Sequence, residues 1–257
     1  MTNLEKYYSK FKEENRLRTR HGTVEFVTSM KYIHEAIGNR RDVKILDIGA
    51  ATGAYSIPLS REGFDVTAVE LVSHNLEILR SKHENVKTWK GDARNLSFLD
   101  ENTFDITIMF GPLYHLHNNE ERAKAMLEAH RVTKKDGFIF AAYIMNEYAV
   151  LQYCFGEGKI NECLEKKSLS DDFHTITTDD DLYSYVRLED INSLNEKCGF
   201  ERVKMFAQDG PSDYMRKTLN AMTDELFRHF IEYHLATCER NELLGASSHV
   251  VDVLKNW

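Results

Sequence analysis

The sequence predicts a doubly wound α/β domain, an open and mostly parallel sheet with helices on both faces. Three observations predict it. Short β-rich segments alternate with helical ones between residues 43 and 144. Two of those segments, Ile106 to Phe110 and Phe138 to Ile144, are apolar throughout, as strands covered on both faces are. A run of small residues, Gly49-Ala50-Ala51-Thr52-Gly53, joins the first strand to its helix. Alternation with short links implies parallel βαβ units with right-handed crossovers.

The elements follow in order. The first forty residues read as helical, with Tyr7, Tyr8 and Phe11 at helical spacing and a second helix over Val24 to Ile37. Val43 to Ile48 is the first strand. Ala54 to Glu62 is its helix, stopped by Gly63. Strands are expected at Asp65 to Leu71, Val86 to Gly91 and Phe104 to Phe110, with helices at Ser73 to His83 and Asn119 to Val132. Asp136-Gly137 reads as a turn into a fifth strand, Phe138 to Ile144. The rhythm breaks over residues 146–186, an acidic stretch expected to form a lid. It resumes with helix Leu188 to Cys198, a stop at Gly199 and strand Phe200 to Phe206. A long helix over Asp213 to Arg240 and a β-like stretch, His249 to Leu254, complete the chain.

Composition excludes several classes. The 257 residues are 42% hydrophobic and 29% charged, ordinary for one globular domain with a sizeable core. A net charge of −8 repels phosphate backbones, so nucleic acid is not an expected partner. The basic cluster Arg16, Arg18, Arg20 and His21 reads as a solvated helix face, and so does the acidic run Asp179 to Asp181 as a solvated loop. Four cysteines without CxxC spacing suit a reducing compartment and give no metal signal. The N-terminus is too charged for a signal peptide, and no apolar run approaches the ~18 residues of a membrane span. The expectation is a cytoplasmic protein with no metal and no membrane contact, monomer or homodimer.

The chemistry concentrates at strand ends. Lys44 to Ile48 ends in a turn of tiny residues, the place where open α/β sheets bind ligands, and small residues let a ligand approach the backbone. A dinucleotide fingerprint G-x-G-x-x-G/A would here read Gly49, Ala51, Ala54, so one of the first two glycines is missing. Asp47, two residues before Gly49, suits a cationic ligand better than a diphosphate. Glu70, at the end of the second strand and 17 residues after Gly53, is placed to accept from ribose hydroxyls, with Leu71 beside it. Gly91-Asp92-Ala93 ends the third strand, where a carboxylate can meet an adenine amino group.

These residues, Asp47 to Gly53, Glu70 and Gly91-Asp92, resemble the cofactor motifs of class I S-adenosylmethionine (SAM)-dependent methyltransferases. Phe110 to Leu116 (FGPLYHL) is similar to a GPLYHL loop found in a bacterial group of that family. The resemblance covers about residues 43–145. Ala51 stands where the family commonly has glycine. It implies a Rossmann-like seven-stranded sheet with strand seven antiparallel beside strand six, SAM as cofactor and S-adenosylhomocysteine as product. It also implies that the loop carrying Phe110, Tyr114 and His115 lies beside the transferred methyl.

Methyl transfer is an in-line displacement on a sulfonium, so alignment and dehydration of the nucleophile do most of the work. Charge leaves sulfur during the reaction, so polar but neutral groups are expected at the methyl. Tyr114 and His115 are such groups. His115 reads either as general base for a hydroxyl or ammonium acceptor or as a loop-orienting residue. GPLY superficially resembles the (D/N)PP(Y/F) loop of methyltransferases acting on bases but lacks its Asp or Asn. His117 reads as surface. In the N-terminal cap, residues 1–40, Tyr8 and Arg20 are candidates for the cofactor carboxylate, the latter through a bidentate guanidinium. Met145, Tyr148, Tyr153 and Phe155 are candidates to line a substrate pocket.

The resulting expectation is one domain over residues 1–257 that methylates a small molecule at oxygen or nitrogen. Its cofactor residues would be Asp47, Gly49, Ala51, Gly53, Glu70, Leu71, Gly91, Asp92, Ala93, Phe110, Tyr8 and Arg20, and its catalytic pair His115 and Tyr114. The rival readings are an NAD-dependent oxidoreductase and a non-catalytic SAM-binding protein.

Overall fold

The computed structural model describes residues 3–8, 16–17 and 19–257, so Phe11 and Arg18 lie outside the described residues. Among the described residues, the α-helices α1 (Asn3–Tyr8) and α2 (Arg20–Ile37) precede the sheet. The α2 helix starts where the Thr19 side chain accepts from the Gly22 amide, satisfying one of the free donors of the first turn. There follow β1 (Lys44–Ile48), α3 (Ser56–Arg61), β2 (Asp65–Glu70), α4 (Ser73–Ser81), β3 (Lys87–Lys90) and β4 (Phe104–Met109). The first half closes with α5 (Asn119–Val132), capped by Asn118 on the Glu121 amide, and β5 (Thr133–Ile144).

Next come α6 (Asn146–Ala149), a π-helical turn (Val150–Gly156) and α7 (Ile160–Glu165). They lead to α8 (Leu188–Cys198), β6 (Glu201–Ala207), α9 (Arg216–Ala221), α10 (Asp224–Thr237), α11 (Asn241–Leu244) and β7 (His249–Lys255). The seven strands form one sheet in the order β3-β2-β1-β4-β5-β7-β6. The pairs among β1 to β5 are parallel, whereas β7 runs antiparallel to both β5 and β6. The predicted sheet and its reversed last strand are therefore present. Ile45, Leu46, Ile106, Ile108 and Phe140 are sealed inside, which is why the central strands read as unbroken apolar runs. No helix among the described residues is long and apolar enough to cross a membrane.

Three expected boundaries are corrected. Asp136-Gly137 does not precede the fifth strand, because β5 begins at Thr133 and Asp136 (φ 64°) sits within it. There the register with β4 jumps from Phe104↔Thr133 to Ile106↔Phe138, a bulge that absorbs the extra residues. The single long helix expected over Asp213 to Arg240 is broken into α9 and α10, and α11 follows it. Met222 is extended, and Thr223 caps α10 by accepting from the Leu226 amide. A local capping interaction thus outweighs a continuous helical pattern. Finally, α3 starts at Ser56 rather than Ala54, since the small-residue turn runs on through Tyr55.

The segment 146–186 is tied at its base. Asn146 donates its side-chain amide to the Phe173 carbonyl (3.0 Å) and accepts from the Thr175 amide (2.8 Å). Its backbone amide donates to the Val186 carbonyl at 2.8 Å. The returning chain is fastened over the loop after β4: the Ser184 amide donates to the Tyr114 carbonyl, and Arg122 donates to the Ser184 hydroxyl, both at 2.8 Å.

Candidate active site

The strand order reverses between β1 and β4, and a cavity of about 840 Å³ opens at the carboxyl ends of the strands there. That volume is ordinary for a small-molecule site. Asp47, Glu70 and Asp92, which end or follow β1, β2 and β3, all line this one cavity.

The loop after β1 is built by hydrogen bonds to β2. The Gly49 and Ala50 amides both donate to the Val69 carbonyl, at 2.8 and 3.2 Å. Gly49 has φ +76°, and a Cβ there would stand 2.7 Å from Cδ of Pro112, so glycine lets the loops after β1 and β4 touch. Ala51 also takes the left-handed conformation (φ 47°), at a cost of about 1–2 kcal/mol. Its amide donates to Glu70 Oε2 at 2.8 Å, which holds it there. Glu70 accepts from the Val72 amide through Oε1 at 2.6 Å. The carboxylate at the end of β2 is therefore fixed by the backbone on both sides.

Asp47 is buried, and its only partner among the described residues is Ser56, whose hydroxyl donates to Oδ2 at 2.5 Å. Burial lifts its pKa to about 6, against the opposing effect of the Ser56 hydrogen bonds. Asp92 differs. Arg94 donates to it from Nε (3.0 Å) and Nη2 (2.6 Å), and this hydrogen bonding holds the carboxyl below its ordinary range. Arg94 also reaches Glu121 at 2.5 Å, and both residues share the cavity wall. Leu71, Gly91, Ala93 and Phe110 line the cavity as well. So does Asn75, whose side-chain oxygen is buried without a hydrogen-bond partner among the described residues.

Two of the expected cofactor residues lie elsewhere. Gly53 (φ +90°) packs beneath the loop, where a Cβ would be 2.5 Å from Leu79 Cδ1, and it does not line the cavity. Arg20 points away altogether: its guanidinium donates to Asp224 Oδ1 at 2.8 Å and lies over the Phe227 ring. On the same approach to α2 it is Arg16 that lines the cavity. Of the residues at the start of the insertion, Tyr148 lines the cavity and Met145 is buried. Tyr153 and Phe155 are exposed and outside the lining.

Tyr114, His115 and Tyr8 meet on the roof of the cavity. The Tyr114 hydroxyl donates to the Phe110 carbonyl at 3.1 Å. His115 Nδ1 lies 2.8 Å from the Leu182 carbonyl and must donate to it, which leaves Nε2 to accept from the Tyr8 hydroxyl at 3.1 Å. Burial drives the His115 pKa down to about 4. Both ring nitrogens therefore have partners, and His115 links the N-terminal helix to the returning chain; Nε2 would have to leave the Tyr8 hydroxyl to act as the base that the sequence suggested.

The far side of the cavity contains residues that motif reading missed. Glu25 is buried against Arg16 Nη1 at 2.5 Å. Buried Asp209 accepts from His249 Nδ1 (2.8 Å), the His249 amide (2.8 Å) and the Ser247 hydroxyl (3.0 Å). The Tyr148 hydroxyl donates to Asp213, which also receives Arg216. One ligating atom each from Glu25, Asp209 and His249 lie within 4.8 Å of one another, but Glu25 is already paired with Arg16, and Asp209 with His249 Nδ1. These residues share no local motif. The antiparallel register Ala207↔Val250 is what sets the Asp209 turn against Ser247 to His249. The only sequence signal was polar turn residues flanking two strands.

Comparison with known proteins agrees with this fold. Residues 45–137 match the pattern of a family described as Methyltransferase domain. A SAM-dependent methyltransferase from Thermotoga maritima, described as a possible histamine N-methyltransferase, superposes with a TM-score of 0.59. It has 19% identity and covers 99% of this chain and 98% of that one. A SAM-dependent methyltransferase from Methanosarcina mazei gives the same TM-score at 15% identity, over 88% and 96% of the two chains. The fold is the SAM-dependent methyltransferase fold. Demethylmenaquinone methyltransferase of Renibacterium salmoninarum is 34% identical over 113 residues, 44% of this chain and 46% of that protein. The corresponding protein of Paenarthrobacter aurescens is 39% identical over 100 residues, 38% of each chain. This chain thus spans less than half the length of these curated relatives. The matched stretch of the methyltransferase fold carries the β1 loop, Glu70, Asp92 and the Tyr114 turn.

Proposed function

We propose that the chain transfers a methyl group from SAM to a small cytoplasmic acceptor, at oxygen or nitrogen. The observation that carries this reading is the gathering of Asp47, Glu70 and Asp92 from three successive strand ends around one cavity. Asp47 is a buried carboxylate with no cationic partner among the described residues, which fits a ligand that brings its own positive charge. Asn75, with its buried unpartnered oxygen on the same wall, fits a ligand rich in donors.

Asp47 and the Gly49 to Ala51 turn would hold the cationic methionine end, Glu70 the ribose, and Asp92 with Ala93 the adenine. Gly91, Leu71 and Phe110 would pack around the nucleoside, and Tyr8 would close over it, carried by the N-terminal cap. When bound, SAM supplies a methyl carbon on a positively charged sulfur. The chain's own part is to align an acceptor and exclude water from it. Tyr114, neutral and hydrogen-bonded to its own loop, suits the wall beside the methyl, within a GPLYHL-type loop. Residues 146–186 serve as cover, since Tyr148, Tyr183 and Tyr185 face the cavity from that segment. The relatives' quinone-type substrate points to a small aromatic hydroxyl compound as one candidate class.

Isothermal calorimetry of the full chain tests the reading. Saturable binding of SAM with none of NADH is expected, and the opposite result overturns it. A product methylated from labelled SAM in a pool of small phenols, quinols and amines then separates an enzyme from a binding protein.

A further inference from the structure

We infer that His249, oriented by Asp209, is the general base that takes the proton of the acceptor. This deepens the proposed function and rests on it.

The pair is built like an orienting dyad. Asp209 follows β6 and is 4% exposed, and both of its oxygens are engaged from the His249 side. Oδ1 receives the His249 amide and the Ser247 hydroxyl, which fixes the carboxylate plane. Oδ2 receives Nδ1 of the ring at 2.8 Å. A carboxylate accepts, so Nδ1 carries the proton and the Nε2 lone pair is left over. Among the described residues Nε2 has no hydrogen-bond partner, yet it is not among the sealed unpaired atoms, and His249 lines the cavity. The Tyr114 ring stands 6.0 Å from the His249 ring, centroid to centroid, so the base lies beside the loop proposed for the methyl. His115, in contrast, has both nitrogens occupied.

The groups facing the His249 ring are Asp209 after β6, Glu25 on α2, Arg16 before α2 and Tyr114 after β4. Burial acts to lower the His249 pKa, but the charge and hydrogen bond of Asp209, with Glu25 behind, raise it above the ordinary value. A base so tuned accepts a proton readily near neutral pH.

The step balances. The acceptor oxygen forms the bond to the methyl carbon, and the sulfur–methyl bond breaks with its electron pair left on sulfur. The acceptor O–H proton passes to Nε2, giving an imidazolium that Asp209 stabilises. For an ammonium acceptor the same proton is taken first, which frees the nitrogen lone pair.

The test uses the full chain and two readouts. Ring ¹⁵N NMR of the ligand-free protein should show His249 with its neutral proton on Nδ1 and a pKa above 6.5, falling by about one unit or more in Asp209→Asn. An Nε2–H tautomer, or identical titrations in both proteins, overturns the assignment. Labelled methyl transfer to pooled phenols, quinols and amines should fall about 100-fold or more in kcat for His249→Gln, the range of general-base loss. SAM affinity should stay within about two-fold, and added imidazole should restore part of the rate to His249→Gly. Wild-type turnover in His249→Gln also overturns it. Absence of SAM binding by the parent chain refutes the functional reading instead, and the NMR titration still decides whether the dyad exists.

Discussion

The Ser56 hydroxyl is the sole side-chain donor to Asp47 among the described residues, at 2.5 Å, and it leaves a buried carboxylate short of positive charge. Burial raises the Asp47 pKa to about 6, so below that pH the ligand-free protein holds Asp47 neutral. A cationic ligand favours the ionised form. SAM affinity should therefore be fully developed above pH 6 and weaken as pH falls through it. Calorimetry from pH 5 to 8 should show this step in the wild type and a weak, flat profile in Asp47→Asn. An unaltered step in the variant removes the role.

Glu70 has two tasks, since the Ala51 and Val72 amides both bond to it. Glu70→Ala leaves those donors unmatched, at roughly 1–3 kcal/mol each if they stay dry. Tm should fall and SAM binding should weaken severely. Glu70→Gln should keep part of the fold stability but not the affinity. Unchanged calorimetric affinity in both refutes the ribose assignment.

Tyr8 and His115 should act as one unit, because the Tyr8 hydroxyl occupies His115 Nε2. Tyr8→Phe and His115→Gln should each weaken SAM binding a few-fold, and the double variant little further. A double-mutant cycle on Kd measures this coupling. With the His115 pKa near 4, turnover between pH 5 and 8 should contain no His115 ionisation. Full additivity of the two changes breaks the proposed link.

Arg20 is held by Asp224 and Phe227, outside the cavity lining. Arg20→Ala should leave SAM affinity within about two-fold, as expected for a surface pair. A ten-fold loss shows that Arg20 reaches the cofactor site after all.

Local sequence by itself determined the alternation of strands and helices, the small-residue turn after β1, and the acids at the strand ends. Each depends on residues close together in the chain: apolar runs, a turn that side chains would block, polar groups at strand termini. The tertiary structure alone decided what those groups meet. Arg94, already held by Asp92 two residues before it, meets Glu121 from a different element. His249 finds Asp209 through the register of β6 and β7, and Arg20 is captured by Asp224 across 204 positions. Such encounters depend on how the sheet and helices pack, a long-range property that local periodicity does not encode.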